Sequence, residues 1–295
     1  MRQPPSSVHV RNAALAWPRA SSWLKAMTAA GYHSAAFRFY AELNDFLSED
    51  RRGRAIRHRF LGRPAVKDAI EALGIPHVEV DLILVNGQSV GFAHRLEHGD
   101  RVSVYPVFES LGIEPLVRLQ GRPLRTAAFL TDVHLGALTR WLRLLGFDTM
   151  SAPCPDDPTL AQIAADTGRI LLTRDRELLK RRSVTRGYWI RSTRPLYQAR
   201  EVVRRFDLAG AAKPFHRCPS CNGHLAAVDR NAVLERIPPR TARWLDAYVQ
   251  CDDCGKLFWR GTHHPRLKRS IEWILDTPPD GRDCAIPEEG DEGIR

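Results

Sequence analysis

Apolar and polar positions along this chain fall into two regimes. From Ala35 to about Phe108 they alternate, and the alternation predicts a ββαββ order. AAFRFYAELNDFL, starting at Ala35, reads as a first strand with Asp50-Arg51-Arg52-Gly53 as the turn behind it. Ile56, His58 and Phe60 then alternate with Arg57 and Arg59, the pattern of a half-buried second strand. Pro64 opens a helix that carries Val66, Ile70 and Leu73 on one face and stops at Gly74. A third strand runs from Val78 to Val85, and the Asn86-Gly87 that follows is the strongest short hairpin signal. Gly99-Asp100 turns into a last strand through Val102, Val104 and Val107. After a linker from Glu114 to Leu124 the second regime begins, in which short apolar runs are separated by helical spacing. Ala128-Phe129-Leu130 and Arg169 to Thr173 read as buried strands, ending at Asp132 and Asp175. Between them Leu135, Leu138, Leu142 and Leu145 form one helical stripe, closed by Gly146 as an αL cap. Phe147 to Ser151 reads as a strand, and Pro155-Asp156-Asp157-Pro158 opens a helix over Thr159 to Thr167. Gly187 to Ile190 and Tyr197 to Leu208 add a strand and a helix.

The second regime describes βαβ units, whose parallel strands present ligand-binding residues just beyond their carboxyl ends. Asp132 and Asp175 stand at such ends, and the Asp156-Asp157 pair is a third acidic position. Acids gathered at one edge repel one another unless a cation neutralises them, and hard divalent ions prefer oxygen ligands. The expectation is a Mg2+ or Mn2+ site held by Asp132, Asp157 and Asp175. Asp156 is either a fourth acid or the ligand in place of Asp157. The competing reading is structural, because Asp157 and Asp175 each precede a helix and suit an N-cap. Asp148 begins its strand, at the opposite edge, and is left out of the site.

Composition narrows the class of partner. The 295 residues are enough for two or three modest domains, and 43% hydrophobic with 26% charged residues suits a soluble globular protein. No apolar run approaches the ~20 residues that span a bilayer, and MRQPPSSVHVRNA lacks a secretory core. No membrane partner and a cytoplasmic location are therefore expected. A net charge of +10 favours a polyanion, nucleic acid being the commonest; membrane-surface binding is the rival, but no strongly amphipathic basic helix stands out. Arg174, Lys180, Arg181 and Arg182 cluster beside the acids, while Arg140 lies on the preceding helix and Arg260 late in the chain. These are the substrate-binding candidates, although a charge run also describes an ordinary solvated face. Arg143, like Arg140, lies off the leucine stripe and reads as solvent-exposed or salt-bridged, with phosphate binding the weaker alternative.

Four of the six cysteines form two knuckles, Cys218-Pro-Ser-Cys221 and Cys251-Asp-Asp-Cys254. Each CxxC brings two thiolates to one ion, and four complete a tetrahedral Zn2+ shell. A redox dithiol is the weaker reading, since such a motif is single and lies between a strand and a helix. The insert between the knuckles exceeds the ~15–20 residues of common zinc modules, so it must carry structure of its own. Pro238-Pro239 and the helical TARWLDAY would supply it. Cys154 and Cys284 are assigned no role.

LGALTRWLRLLGFDT, followed by Asp156-Asp157 and then GRILLTRDREL, resembles the PIN-like RNase domain named after the C-terminus of the mut-seven exonuclease family. That resemblance implies a metal-dependent ribonuclease. CGKLFWRGTHH resembles the end of the same family, where a ribbon is appended to the PIN-like core. The ββαββ order resembles a ubiquitin-like β-grasp of the sulfur-carrier type. Sulfur-carrier chemistry needs a free Gly-Gly tail, whereas this chain continues through ESLGIEPLVRLQG, so an interaction or RNA-docking module is expected instead. The expected architecture is an extension (1–34), an α+β ubiquitin-like β-grasp domain (35–110), an α/β PIN-like nuclease core (125–213), a zinc ribbon (214–276) and an acidic tail (277–295). RNA is the expected substrate, and the β-grasp domain offers a surface for a protein partner. Two alternatives carry less. A non-catalytic RNA-binding adaptor would use the ribbon and basic face, with the acids as caps. A phospho-acceptor receiver domain would need an acid pair that Leu130-Thr131-Asp132-Val133 lacks.

Overall fold

The computed structural model describes residues 32–106, 119, 127–152, 156–238, 245 and 247–276. The N-terminal extension before Tyr32, Cys154, Cys284, most of the linker, the Pro239 to Trp244 insert and the acidic tail lie outside them. The chain divides into two compact units, Met1–Ala69 with Ile83–Tyr105, and Ile70–Leu82 with Pro106–Arg295.

The first sheet has five strands in the order β2-β1-β5-β3-β4. They are β1 (Tyr32–Phe39), β2 (Ile56–Leu61), β3 (Val80–Val85), β4 (Gln88–Val90) and β5 (Arg101–Pro106), with helix α1 (Val66–Ala72) between β2 and β3. β1 runs antiparallel to β2 and parallel to β5, which is a β-grasp arrangement. The β3–β4 hairpin turns at Asn86 and Gly87, both at positive φ (52° and 89°), as a two-residue primed turn requires. The first strand differs from expectation at both ends. It begins at Tyr32 and stops at Phe39, and Ala41–Phe46 is a 3-10 turn. Asn44 is the reason: its side-chain amide donates to the Phe39 and Ala41 carbonyls and its Oδ1 accepts from Gly53 N–H. Such local bonding offers the backbone an alternative to the ladder.

The central sheet is wholly parallel, in the order β7-β6-β8-β9. Its strands are β6 (Ala128–Thr131), β7 (Asp148–Ser151), β8 (Ile170–Thr173) and β9 (Gly187–Trp189). The helices are α2 (Gly136–Leu144), α3 (Asp157–Thr167), α4 (Arg176–Leu179), α5 (Pro195–Arg205) and α6 (His264–Leu275). Alternation along the strands builds two cores. Phe129 and Leu172 face Leu138 and Leu142 of α2, Val202 and Val203 of α5, and Ile271 and Ile274 of α6. Leu130 and Leu171 face Leu160 and Ala164 of α3, and Leu178 of α4, where Val78 also packs. Gly146 closes α2 at φ 93°, and a Cβ there would run into the Lys213 carbonyl. α6 was not anticipated from the sequence. Its apolar face completes the core beneath α5, far in sequence from the sheet it covers.

A third sheet, β10-β11-β12, is antiparallel. It comprises β10 (Leu225–Val228), β11 (Tyr248–Cys251) and β12 (Leu257–Trp259), over a small core of Val233, Ile237 and Tyr248. No helix among the described residues is long and apolar enough to cross a membrane.

Candidate functional site

From β6 the chain passes to β7 on one side and then crosses to β8 on the other. The connection therefore reverses direction between β6 and β8, the position where open α/β sheets bind ligands at their carboxyl edge. Asp132 and Asp175 lie at that position. They follow the ends of adjacent strands, and the Asp132 amide still bonds the Leu172 carbonyl at 3.2 Å. Thr173 ties them together. Its hydroxyl donates to Asp132 Oδ2 at 2.6 Å and accepts from the Asp175 N–H at 2.9 Å. Asp132 is buried, and its Oδ1 accepts the His134 N–H at 2.7 Å. Asp175 is exposed, and its Oδ1 accepts the N–H groups of Glu177 (2.8 Å) and Leu178 (3.4 Å).

The cap of α3 is Asp156, whereas Asp157 is already the first helical residue. Asp156 Oδ2 accepts the amide and the hydroxyl of Thr159, at 3.0 and 2.6 Å, and these bonds hold its carboxyl below the usual range. Asp157 pairs instead with Arg181, at 3.7 Å. The acids are thus arrayed along one edge, and three of them double as caps. Among the described residues, the four cysteines are the one group of three or more potential ligands whose ligand atoms all lie within 4.8 Å of one another.

The basic candidates have varied roles. Arg140, Arg182 and Arg260 are exposed. Lys180 bonds Glu177 at 2.7 Å. Arg174 reaches across to the carbonyls of Arg191 and Ser192, securing the loop that carries Asp175. Beside it Trp189, in register with Thr173, donates its indole N–H to the Arg174 carbonyl and lies beneath the Arg176 guanidinium, 3.9 Å from the ring centroid. Its backbone N–H donates to Glu79 at 2.7 Å. Neither Thr173 nor Trp189 was singled out from the sequence. The threonine had a signal, since both acid-bearing strands end in Leu-Thr (Leu130-Thr131-Asp132 and Leu172-Thr173-Arg174-Asp175).

The cysteine cluster is built from two turns of the same form. Cys218 N–H bonds Gly223 O and Asn222 N–H bonds Cys218 O; likewise Cys251 N–H bonds Lys256 O and Gly255 N–H bonds Cys251 O. Asn222 and Gly255 hold the same left-handed position, at φ 76° and 68°. Sulfur separations of 3.7 Å (Cys218–Cys254) and 3.3 Å (Cys221–Cys251) are close to the about 3.8 Å edge of a tetrahedron with 2.3 Å Zn–S bonds. The Lys256 amide helps hold the Cys254 thiol down at about 7, whereas burial pushes Cys218 up. Four soft sulfur donors at this spacing fit Zn2+.

Arg143 corrects the sequence reading. It is buried, not solvent-exposed, and has no carboxylate partner at salt-bridge distance among the described residues. It donates to Thr149 O at 2.9 Å and to the Pro219 and Ser220 carbonyls of the first knuckle at 3.2 and 2.8 Å. Asn222 joins the same junction, accepting Thr149 N–H at 3.0 Å and donating to Asp148 at 2.7 Å. Asp148 is also gripped by both Arg169 nitrogens, at 2.9 and 3.0 Å. The knuckle is therefore fastened to the amino edge of β7, away from the acidic edge.

Two family models match this chain, the Mut7-C RNAse domain over residues 127–271 and the Mut7-C ubiquitin domain over residues 32–112. The chain carries a Mut7-C RNase domain behind a Mut7-C ubiquitin domain. The RNase match includes the parallel sheet, the cysteine cluster and most of α6. Among solved structures the chain is similar to the solution structure of the Haloferax volcanii HVO 2177 protein, at 24% identity and a TM-score of 0.23. That similarity covers 28% of this chain and 89% of the other. No curated protein matches significantly. The Mut7-C RNase domain thus places its acids at one edge of the sheet and its cysteine cluster at the other.

Proposed function

We propose that the chain is a metal-dependent ribonuclease whose working edge is the carboxyl end of the Mut7-C RNase sheet. The observation that carries this reading is the Asp132–Thr173–Asp175 connection at the crossover between β6 and β8. Mg2+ is commonly held by one or two carboxylates, with waters and substrate phosphates completing its shell, so a pair of linked acids suits it without a closed cage. Asp132 and Asp175 would hold Mg2+ or Mn2+, with Asp157 or Asp156 contributing from the start of α3. The ion would supply charge neutralisation at the phosphate and a water of lowered pKa. The Thr173 hydroxyl fixes the Asp132 carboxylate and the Asp175 backbone, and the amides of His134, Glu177 and Leu178 orient the two carboxylates. With water as nucleophile its oxygen bonds phosphorus and the P–O3′ bond breaks, which leaves a 5′-phosphate and a 3′-hydroxyl. Reduced cysteines in both knuckles suit a cytoplasmic location.

The capping bonds of Asp132, Asp156 and Asp175 favour a second reading, an RNA-binding adaptor without catalysis. Incubating the purified chain with end-labelled RNA, with and without Mn2+, separates the two. Ion-dependent cleavage that disappears in Asp175→Asn is expected. RNA binding without cleavage under every ion tested would leave the adaptor.

A further inference from the structure

The exposed face of the ubiquitin-domain sheet carries a group of arginines that the proposed chemistry does not use. On β1 the residues Ala35, Phe37 and Phe39 point into the core, so Tyr32, Ser34, Ala36 and Arg38 form the other face. Register extends that face across its neighbours. Ala36 stands between Arg57 of β2 and Arg101 of β5, Ser34 faces Arg59, and Arg38 faces Ser103. Small side chains therefore floor the middle strand while arginines stand on both sides. Arg57, Arg59 and Arg101 are exposed, and none of the face positions on these three strands is acidic. Aromatic rings lie at both ends of the face. Tyr32 sits 5.0 Å beneath the Arg59 guanidinium, and Tyr40 stacks on Tyr105 with centroids 4.3 Å apart and planes 10° from parallel.

We propose that this face binds single-stranded RNA, with the arginines neutralising phosphates and the tyrosines stacking bases. The inference rests on the ribonuclease reading for the identity of the polyanion and assigns part of the RNA affinity to the ubiquitin domain. An acidic protein would satisfy the arginines, whereas the exposed Tyr32 ring and the half-buried Tyr40–Tyr105 stack add flat surfaces on which unstacked bases can lie. Single-stranded RNA uses both, since its unstacked bases lie on aromatic and guanidinium planes of a sheet surface.

The test measures binding of a fluorescein-labelled oligouridylate to the full chain carrying Asp175→Asn, by anisotropy over a range of salt. Each neutralised phosphate contributes a slope of ~0.7 on single strands. Arg57→Gln/Arg59→Gln/Arg101→Gln is expected to flatten the slope by more than the ~0.7 of a single phosphate and to weaken binding about ten-fold at low salt. Tyr32→Ser is expected to weaken binding several-fold with the slope unchanged, because stacking releases no counterions. Should the triple variant fold poorly, Arg59→Gln alone is expected to flatten the slope by about 0.7. Wild-type affinity and slope in these variants would overturn the inference. So would displacement of the RNA by polyglutamate of equal charge with Tyr32→Ser inert, which marks an acidic-protein face. Cleavage by the wild-type chain is scored separately. Binding loss without any wild-type cleavage would sink the ribonuclease reading and spare this one, and the converse holds too.

Discussion

At the scale of single residues, three aspartates of the RNase domain cap helices, and the metal-holding role proposed for them can be separated from capping chemically. Asp175 caps α4 through bonds to two backbone amides, and Asn caps a helix about as well as Asp. Asp175→Asn is therefore expected to melt with the wild type yet lose RNA cleavage, because a neutral amide cannot hold a divalent cation as a carboxylate does. Asp175→Ala removes the cap as well and should cost about 1 kcal/mol in denaturant unfolding. Cleavage that survives in the Asn variant would leave Asp175 a cap and nothing more. Thr173→Val keeps the shape of the strand end and removes the hydroxyl shared by Asp132 and Asp175. Its expected signature is a fall in kcat with KM unchanged, partly restored by Thr173→Ser. Both aspartates could be read in the sequence, because a buried strand ending in an acid is a local pattern. The sequence reading offered Asp157 as the cap of α3, one residue late, since the cap turns on where Pro158 sets the first helical turn.

At the scale of elements, local patterns served well and long-range packing did not. The Asn86-Gly87 hairpin, the leucine stripe of α2 and the paired CxxC turns each declare themselves within a few residues. α6 and the Arg143 junction do not, because what stabilises them is contact with residues distant in sequence. Arg143 looked like a surface residue off the apolar stripe, and only the knuckle carbonyls explain its burial. Asn222→Gly isolates that junction, since Gly accepts the left-handed φ of the turn while the bonds to Asp148 and Thr149 are lost. Leaving the Thr149 amide unsatisfied should cost about 1–3 kcal/mol with zinc content unchanged. Asp148 gives the junction a pH signature. Burial opposes its charge, but hydrogen bonds from Arg169 and Asn222 outweigh that and lower its pKa. The stability this supplies is complete above the unfolded value near 3.9 and is lost as pH falls through the lower folded value. Asp148→Asn should accordingly flatten the acid limb of the stability curve below about pH 4. The cysteine cluster acts on a different element. The ribbon lies between α5 and α6, and doubling the length of a flexible loop costs only about 0.6 kcal/mol. Cys251→Ser is thus expected to abolish amide protection in β10 to β12 while α6 stays protected on the core. Loss of protection throughout α6 would mean that the ribbon, not the apolar face, holds that helix.

At the scale of the whole molecule, a net charge of +10 draws RNA from a distance, but the cations do not contribute equally. The Lys180–Arg182 cluster looked uniform in the sequence, and the structure divides it. Lys180 is bonded to Glu177 and Arg181 to Asp157, whereas Arg182 is exposed. A cation already facing a carboxylate neutralises a phosphate less completely, because the carboxylate remains to repel the RNA. Arg182→Gln should therefore flatten the salt dependence of RNA binding by about 0.7 and leave kcat at saturating RNA unchanged. Lys180→Gln should flatten it by less, since it also frees the charge of Glu177. Arg181→Gln is expected to differ from both. It removes the cation beside Asp157, so it should change the concentration of Mn2+ needed for half-maximal cleavage as well as RNA affinity. Binding isotherms at four or more salt concentrations, with cleavage titrated against Mn2+ for each variant, resolve the three outcomes. Equal slopes for all three variants would mean that the ion pairs are broken by RNA and the cluster acts as one charge. An unchanged Mn2+ requirement in Arg181→Gln would place Asp157 outside the ion's reach and leave Asp132 and Asp175 as its holders.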